Sequence, residues 1–250
     1  MALIHSFETS GNFLFKYRGQ IPVLIFLVGL PFLYFADYQC FAENLWAEPV
    51  LAAVGVCVSL AGILIRSYTI GTTPKGTSGR NTQKQIAESL NTKGIYSIVR
   101  HPLYVGNYLM WAGLLVFAGN IAYFLVASLI YWLYYERIMY AEERFLEKQF
   151  GQTFTDWSMK VPAFVPAFSL FEKGDMRFSF KSVLRREYSG FFAMALCFML
   201  VDLLRYYVIH HTIDWLRISV FAAAFFLIVM LLLRTLKHHS RLLDESQVRD

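Results

Sequence analysis

Long uncharged apolar runs recur along this chain and dictate its class. They occupy Ile21–Ala36, Pro49–Ile65, Leu103–Tyr135, Tyr188–Val201 and Ile218–Leu233. Hydrophobic residues make up 56% of the 250 and charged ones 16%, more apolar surface than one water-soluble core hides. A spanning helix needs roughly 20 largely apolar residues, and Tyr, Trp, Lys or Arg at its ends supply a missing turn. The third run is too long for one helix, and Gly119-Asn120 divides it into a tight hairpin. The expected fold is all-α: a polytopic membrane helical bundle of about six membrane segments, two of them short.

The first run does not read as a cleavable signal peptide. Lys16 and Arg18 precede it, but Asp37, Tyr38 and Gln39 follow where small residues would be needed. Cys40, Cys57 and Cys197 are odd in number and two fall inside apolar runs, which supplies neither a disulfide framework nor a zinc spacing. His210-His211 and His238-His239 are adjacent pairs at run boundaries, so no metal is expected. Positive charge concentrates before the first run, in the loop holding Lys75, Arg80, Lys84, Lys93 and Arg100, between Arg137 and Arg186, and after Arg234. The intervening loops hold Asp37, Glu43 and Glu48 or, at Asn120, no charge, with Arg205 and Arg217 the exceptions. This asymmetry predicts an integral membrane protein, in the inner membrane if the source is bacterial, with both termini and both large loops cytoplasmic. The net charge of +5 is then explained by cytoplasm-facing lysine and arginine, and no nucleic-acid partner is expected.

Polar chemistry is confined to two cytoplasmic regions. Gly71–Arg100 opens as a Gly, Pro, Ser and Thr-rich loop, with a short helix expected over Gln83–Leu90. From Ile121 to Phe150 there is neither glycine nor proline, so one helix is expected to leave the membrane and continue until Gly151 stops it. Glu136, Tyr140, Glu143 and Glu147 share one face of it, while Glu142 and Arg137 point elsewhere. The stretch VPAFVPAF that follows reads as an extended segment folding back onto the interface.

Between these regions stands GIYSIVRHPLYVG, residues 94 to 106. Proline is tolerated in the first turn of a helix, so His101-Pro102 marks a helix start at the cytoplasmic face. The open N–H groups and dipole there favour an anion, with Arg100 and His101 beside them and Tyr96 and Tyr104 offering aromatic faces. Taken alone, Arg100 is as well read as a positive-inside anchor and the tyrosines as belt residues. Glutamates on an emergent helix are likewise commonly solvated, and Glu143 or Glu147 has Arg144 and Lys148 as neighbours.

The ordered set G-I-Y-S-I-V-R-H-P-L-Y-V-G, a hairpin, E-E-R-F-L-E-K-Q-F-G and V-P-A-F-V-P resembles the isoprenylcysteine carboxyl methyltransferase family and its phospholipid methyltransferase relatives. The likeness covers roughly Arg66 to Pro166. It implies an S-adenosylmethionine site at the cytoplasmic membrane surface, while the last two segments have no counterpart in the short family members. The chain is expected to divide into N-terminal membrane helices (1–66), a methyltransferase core with the cofactor cap (67–168), and a basic connection with a C-terminal helix pair (169–250). By the same resemblance Tyr96, Arg100, His101, Pro102, Leu103, Tyr104 and Glu142 bind the cofactor. Leu90 and Asn91, within Glu88–Asn91, match by position only. Arg137, the nearest match to a family arginine that faces the acceptor, is assigned with Arg100 and Glu143 to catalysis, and Arg80 with Arg137 to the substrate.

The residue types suit this cofactor. A helix start with Arg100 and His101 suits its carboxylate, Glu142 its ammonium or a ribose hydroxyl, and aromatic rings its adenine and sulfonium. Methyl transfer needs alignment and desolvation more than proton shuttling. A membrane sterol-type reductase using NADPH and a non-catalytic scaffold are the rival classes. A lipid acceptor entering from the bilayer is expected, and its polar group is a phosphate, a carboxylate or an amine. Lys75, Arg80 and Lys84 among threonines and Ser78 lean toward phosphate. Some bacterial family members act on the phosphate of lipid A, which the TSGRN stretch resembles in character.

Overall fold

The computed structural model describes residues 2–38, 46–74, 85, 87–240 and 242–243. Arg80, with Lys75, Ser78 and Lys84, lies outside the described residues. Among those described the regular structure is helical: α1 Leu3–Lys16, α2 Ile21–Tyr34, α3 Ala47–Gly71, α4 Pro102–Ala118, α5 Ile121–Phe150, α6 Gln152–Ser158, α7 Phe180–His210 and α8 Ile218–His239, with short 3-10 turns at Ile95–Ser97 and Phe168–Leu170. By length and composition α3, α7 and α8 are able to cross a membrane, and α1–α2, bent by 84°, would make a fourth span if taken as one. The other apolar runs form shorter or more polar helices, α2 with 14 residues, α4 with 17, and α5 with a tyrosine-rich face. Exposed Phe221, Phe225, Ile228 and Leu232 along α8 are what a lipid-facing helix presents.

The hairpin is built by its sequence. Pro102 opens α4, and Gly119 closes it in the left-handed region with φ 73°. Asn120 then caps α5 by accepting the Tyr123 N–H at 2.9 Å. Helices α3 and α4 pack most closely because glycines face each other across them. A Cβ on Gly113 would stand 2.3 Å from the Gly55 carbonyl oxygen, and one on Gly62 would stand 2.5 Å from that of Gly106. Such small-residue contacts let backbones approach where lipid offers no hydrophobic drive. In the core, Tyr131 stacks on Tyr135 with ring centres 4.2 Å apart, and its hydroxyl donates to the Tyr104 carbonyl at 2.8 Å.

Three features depart from the sequence reading. Helix α1 was not anticipated, although Leu3, Phe7, Gly11, Leu14 and Phe15 form a helical stripe. It lies along the distal half of α5: a Cβ on Gly11 would stand 2.1 Å from the Arg137 carbonyl oxygen, and Glu8 pairs with Lys148. The short helix over Gln83–Leu90 is not found, since residues 85 and 87–90 are all non-helical. Of the backbone donors at the start of α4, those of Arg100 and His101 are not open to an anion, because the extended segment takes them up. Arg100 N–H donates to Pro162 O at 2.9 Å and His101 N–H to Ala163 O at 3.2 Å, while Ala167 N–H donates to Ile98 O at 2.9 Å.

At the opposite end of the bundle, Arg205 and Arg217 meet Asp202 and Glu48. Arg217 holds Asp202 at 2.8 Å through both Nε and Nη2. Arg205 donates to the Phe117 carbonyl at 2.6 Å, at the C-terminus of α4. The cluster ties the hairpin tip, the start of α3 and the α7–α8 turn together.

Candidate active site

One cavity of 680 Å³ lies between α2, α3, α4, α5 and α7 at the end of the bundle that carries His101, within the range of roughly 300–1,000 Å³ usual for small-molecule sites. Leu90, Asn91, Tyr96, Arg100, His101, Pro102, Leu103, Tyr104, Glu142 and Glu143 all line it. The backbone trap just described fixes the turn that carries Arg100 and His101. Arg100 Nη1 donates to the Ser158 carbonyl at 2.7 Å, and Trp157 Nε1 donates to that of Tyr96 at 3.3 Å.

Both acids of the pair reach the histidine. Glu143 Oε1 stands 2.9 Å from His101 Nε2 and 3.1 Å from Arg100 Nε, and Glu142 Oε2 stands 3.6 Å from His101 Nδ1. Burial presses the His101 pKa down, but its hydrogen bonds to Glu142 and Glu143 outweigh this and leave it raised above 6.5. Burial works against the Glu143 carboxylate too, yet its bond to His101 and the Arg100 charge hold its pKa below 4.5. Burial, reinforced by the Glu142 charge, pushes the Tyr96 hydroxyl well up, so it stays a neutral donor.

Arg137 lies outside the cavity lining. Its guanidinium sits over the Phe7 ring, 4.4 Å from the centroid, on the side of α5 that faces α1. Arg66, Asn107 and Glu187 line the cavity instead, and the sequence reading gave none of them a role. Arg66 directly follows an uncharged run, which is the default mark of a functional group near a membrane. Glu187 follows Arg185 and Arg186 and passes as part of a basic loop. Arg66 holds it bidentately, Nε to Oε2 at 2.8 Å and Nη2 to Oε1 at 2.7 Å. No group of His, Cys, Asp and Glu side chains able to hold a metal occurs among the described residues.

The family model for phospholipid methyltransferase matches residues 50–153, the stretch that builds most of α3, the turn before Pro102 and the hairpin. The cobalt-zinc-cadmium resistance protein CzcN of Cupriavidus metallidurans is 32% identical over 163 residues, covering 64% of this chain and 68% of that protein. This chain belongs to the phospholipid methyltransferase family. Protein-S-isoprenylcysteine O-methyltransferase of Schizosaccharomyces pombe is 36% identical over 77 residues, 31% of this chain and 33% of that one. Methanethiol S-methyltransferase 2 of Bradyrhizobium diazoefficiens is 40% identical over 87 residues, 32% of this chain and 29% of that one. This chain spans less than two thirds of the length of these two methyltransferases. No solved structure matches. As a member of this family the protein is an S-adenosylmethionine-dependent methyltransferase, and its long apolar helices support placement in a membrane.

Proposed function

We propose that this phospholipid methyltransferase family member esterifies the carboxylate of a thioether-linked lipid, of isoprenylcysteine type, at the cytoplasmic membrane surface. The charge of the cavity carries the reading. Among the described residues, Arg18, Arg66, Arg100 and Arg186 line it against Glu142, Glu143 and Glu187. Bound S-adenosylmethionine adds one further net positive charge, so an anionic acceptor complements the site where an ammonium would be repelled. The isoprenylcysteine relatives favour a carboxylate over the lipid phosphate toward which the loop around Arg80 leans. The second reading is N-methylation of a phospholipid amine, which the family's own description favours.

When bound, the cofactor supplies an electrophilic methyl group on a cationic sulfonium. Tyr96, His101, Tyr104 and Glu142 would hold it, with Leu90 and Asn91 alongside and Arg100 and Glu143 fixing His101. The donor set fits, since it combines aromatic faces, a cation and carboxylates in one cavity. A carboxylate acceptor is ionised at neutral pH, so the chain need hold no proton and only aligns the oxygen with the methyl group and excludes water. The apolar tail of the acceptor lies toward Met194 and Cys197 of α7, which line the same cavity. Six crossing segments (α2, α3, α4, the first half of α5, α7 and α8) with both termini cytoplasmic are part of this proposal, supported by the lysine and arginine distribution.

The deciding experiment supplies methyl-labelled S-adenosylmethionine with S-farnesyl-N-acetylcysteine, phosphatidylethanolamine or lipid A. Label on the farnesyl compound that mild alkali releases as methanol supports the carboxyl ester. Alkali-stable label on phosphatidylethanolamine favours the amine, and label on lipid A restores the phosphate.

A further inference from the structure

Helix α7 lies wholly beyond residues 50–153, the part shared with the phospholipid methyltransferase family. It nevertheless supplies one wall of the cavity, where Glu187, Gly190, Met194 and Cys197 recur at three, four and three residues on a single helical face. Glu187 is only 5% exposed, and its carboxylate is the group that orients Arg66. The geometry leaves Arg66 with capacity to spare. A guanidinium has five N–H donors, of which Glu187 takes two and the Asn107 side-chain oxygen one. The remaining two, one on each Nη, have no acceptor among the described residues. Gly106 makes the approach of Arg66 feasible, since a Cβ there would stand 2.6 Å from Arg66 Cγ. Asn107 also ties the guanidinium to the aromatic wall, donating to the Tyr135 hydroxyl at 3.3 Å.

We propose that α7 is the acceptor wall of this site and Glu187 its positioning residue, locking Arg66 so that its spare N–H pair receives the acceptor's carboxylate while Gly190 leaves room for the lipid chain. This rests on the carboxylate reading above. A bidentate clamp on one side of a guanidinium fixes the plane and direction of the donors on the other side. It also cancels one charge, so the acceptor anion is selected by oriented hydrogen bonds rather than by bulk field alone. Acceptor choice would thus be set by a helix the shared core lacks.

The test uses the full-length protein in detergent, with S-farnesyl-N-acetylcysteine as the carboxylate probe and phosphatidylethanolamine as the amine probe. For Glu187→Gln we expect S-adenosylmethionine affinity within about twofold of the parent by calorimetry, with the farnesyl probe's KM raised about tenfold or more. Glu187→Asp should recover part of that loss. Gly190→Leu tests the wall with both partners of the ion pair kept, because the nearest atom to a Cβ there, Glu187 Oε2, lies at an ordinary contact distance of 3.7 Å. It should raise KM for the farnesyl probe more than for its shorter geranyl analogue. An unchanged farnesyl KM in Glu187→Gln and Gly190→Leu, in a parent that methylates this probe, overturns the role of α7 and leaves the carboxylate reading standing. Equal loss of cofactor affinity and turnover in both Glu187 variants, with Gly190→Leu indifferent to chain length, also overturns it by marking a purely structural pair. A parent that methylates only phosphatidylethanolamine overturns the carboxylate reading itself and this inference with it.

Discussion

Glu143 on α5 holds the ring of His101 at the start of α4, with Oε1 2.9 Å from Nε2. The two are 42 residues apart and are joined across the open end of the hairpin. The bond locks the motif turn against the distal half of α5, and the Arg100 guanidinium closes on the same oxygen. What reads in sequence as a solvated acid is the brace of the candidate cofactor site.

This brace makes stability depend on pH in a stated direction. His101 has a pKa raised above 6.5 in the fold, so its contribution is complete below 6.5 and is lost as pH rises through the raised value. Glu143 has a pKa lowered below 4.5, so its contribution is complete above 4.5 and is lost as pH falls through the lowered value. The pair therefore stabilises most in the weakly acidic window between. We expect the Tm gap between the parent and His101→Gln to be widest near pH 6 and to narrow at pH 8.5. Each kcal/mol gained or lost corresponds to about 2–4 °C at this chain length. A gap that widens toward alkaline pH would show that the histidine is held neutral.

The α3–α4 crossing should be intolerant of a single methyl group. A Cβ on Gly113 would stand 2.3 Å from the Gly55 carbonyl oxygen and 2.6 Å from the Ser59 nitrogen, both backbone atoms that a side-chain rotation cannot clear. Gly113→Ala is expected to cost about 1–3 kcal/mol, read as a lower Tm in detergent. An unchanged Tm would mean that the two helices separate freely.

The cluster far from the cavity should behave as a buried ion network. Asp202 and Arg205 are 5% and 2% exposed, and Asp202 also accepts the Ser219 hydroxyl at 2.5 Å. Asp202→Asn removes the carboxylate charge that Arg205 and Arg217 share, which should cost about 3–5 kcal/mol. Cofactor affinity of the folded fraction should not change, because the cluster lies at the other end of α7. Calorimetry alongside thermal unfolding checks both, and a large affinity loss without a stability loss would contradict this account.

Much of this arrangement was legible where local chemistry decides it. Pro102, Gly119-Asn120 and Gly151 mark helix ends by backbone preference alone, and the structure puts helix boundaries at each. The motif residues Tyr96 and Arg100 to Tyr104 reach one cavity because one short stretch of chain carries them. The rest depended on pairing at long range. Nothing in the sequence near Glu187 says that it meets Arg66, 121 residues away. Helix α1 had a readable stripe, but its partner is the polar half of α5, which looked solvated. Glu142 and Glu143 are neighbours around the helix, and only packing against α4 brings both to His101.

Arginine position gives the last test. The family resemblance nominates Arg137 to face the acceptor, while the fold lays its guanidinium over Phe7 at 4.4 Å and puts Arg66 in the cavity wall. A cation on an aromatic face at such a site contributes about 0.5–1 kcal/mol, and losing it loosens α1 without removing a group from the cavity. Arg137→Ala should therefore lower turnover by less than about fivefold, with acceptor KM nearly unchanged. Arg66→Ala removes the hydrogen-bonding fork itself and leaves Glu187 buried without its cation. For it we expect kcat/KM toward the farnesyl probe to fall about a hundredfold or more, with S-adenosylmethionine affinity largely kept. Arg66→Lys should restore little, since an ammonium lacks the planar fork that serves Glu187 and the acceptor together. Steady-state kinetics on the three variants decides the matter. If Arg137→Ala proved the crippled enzyme and Arg66→Ala the active one, the acceptor would have to approach from the α1 side of α5, and the cavity between α3, α4 and α7 would be left to the cofactor alone.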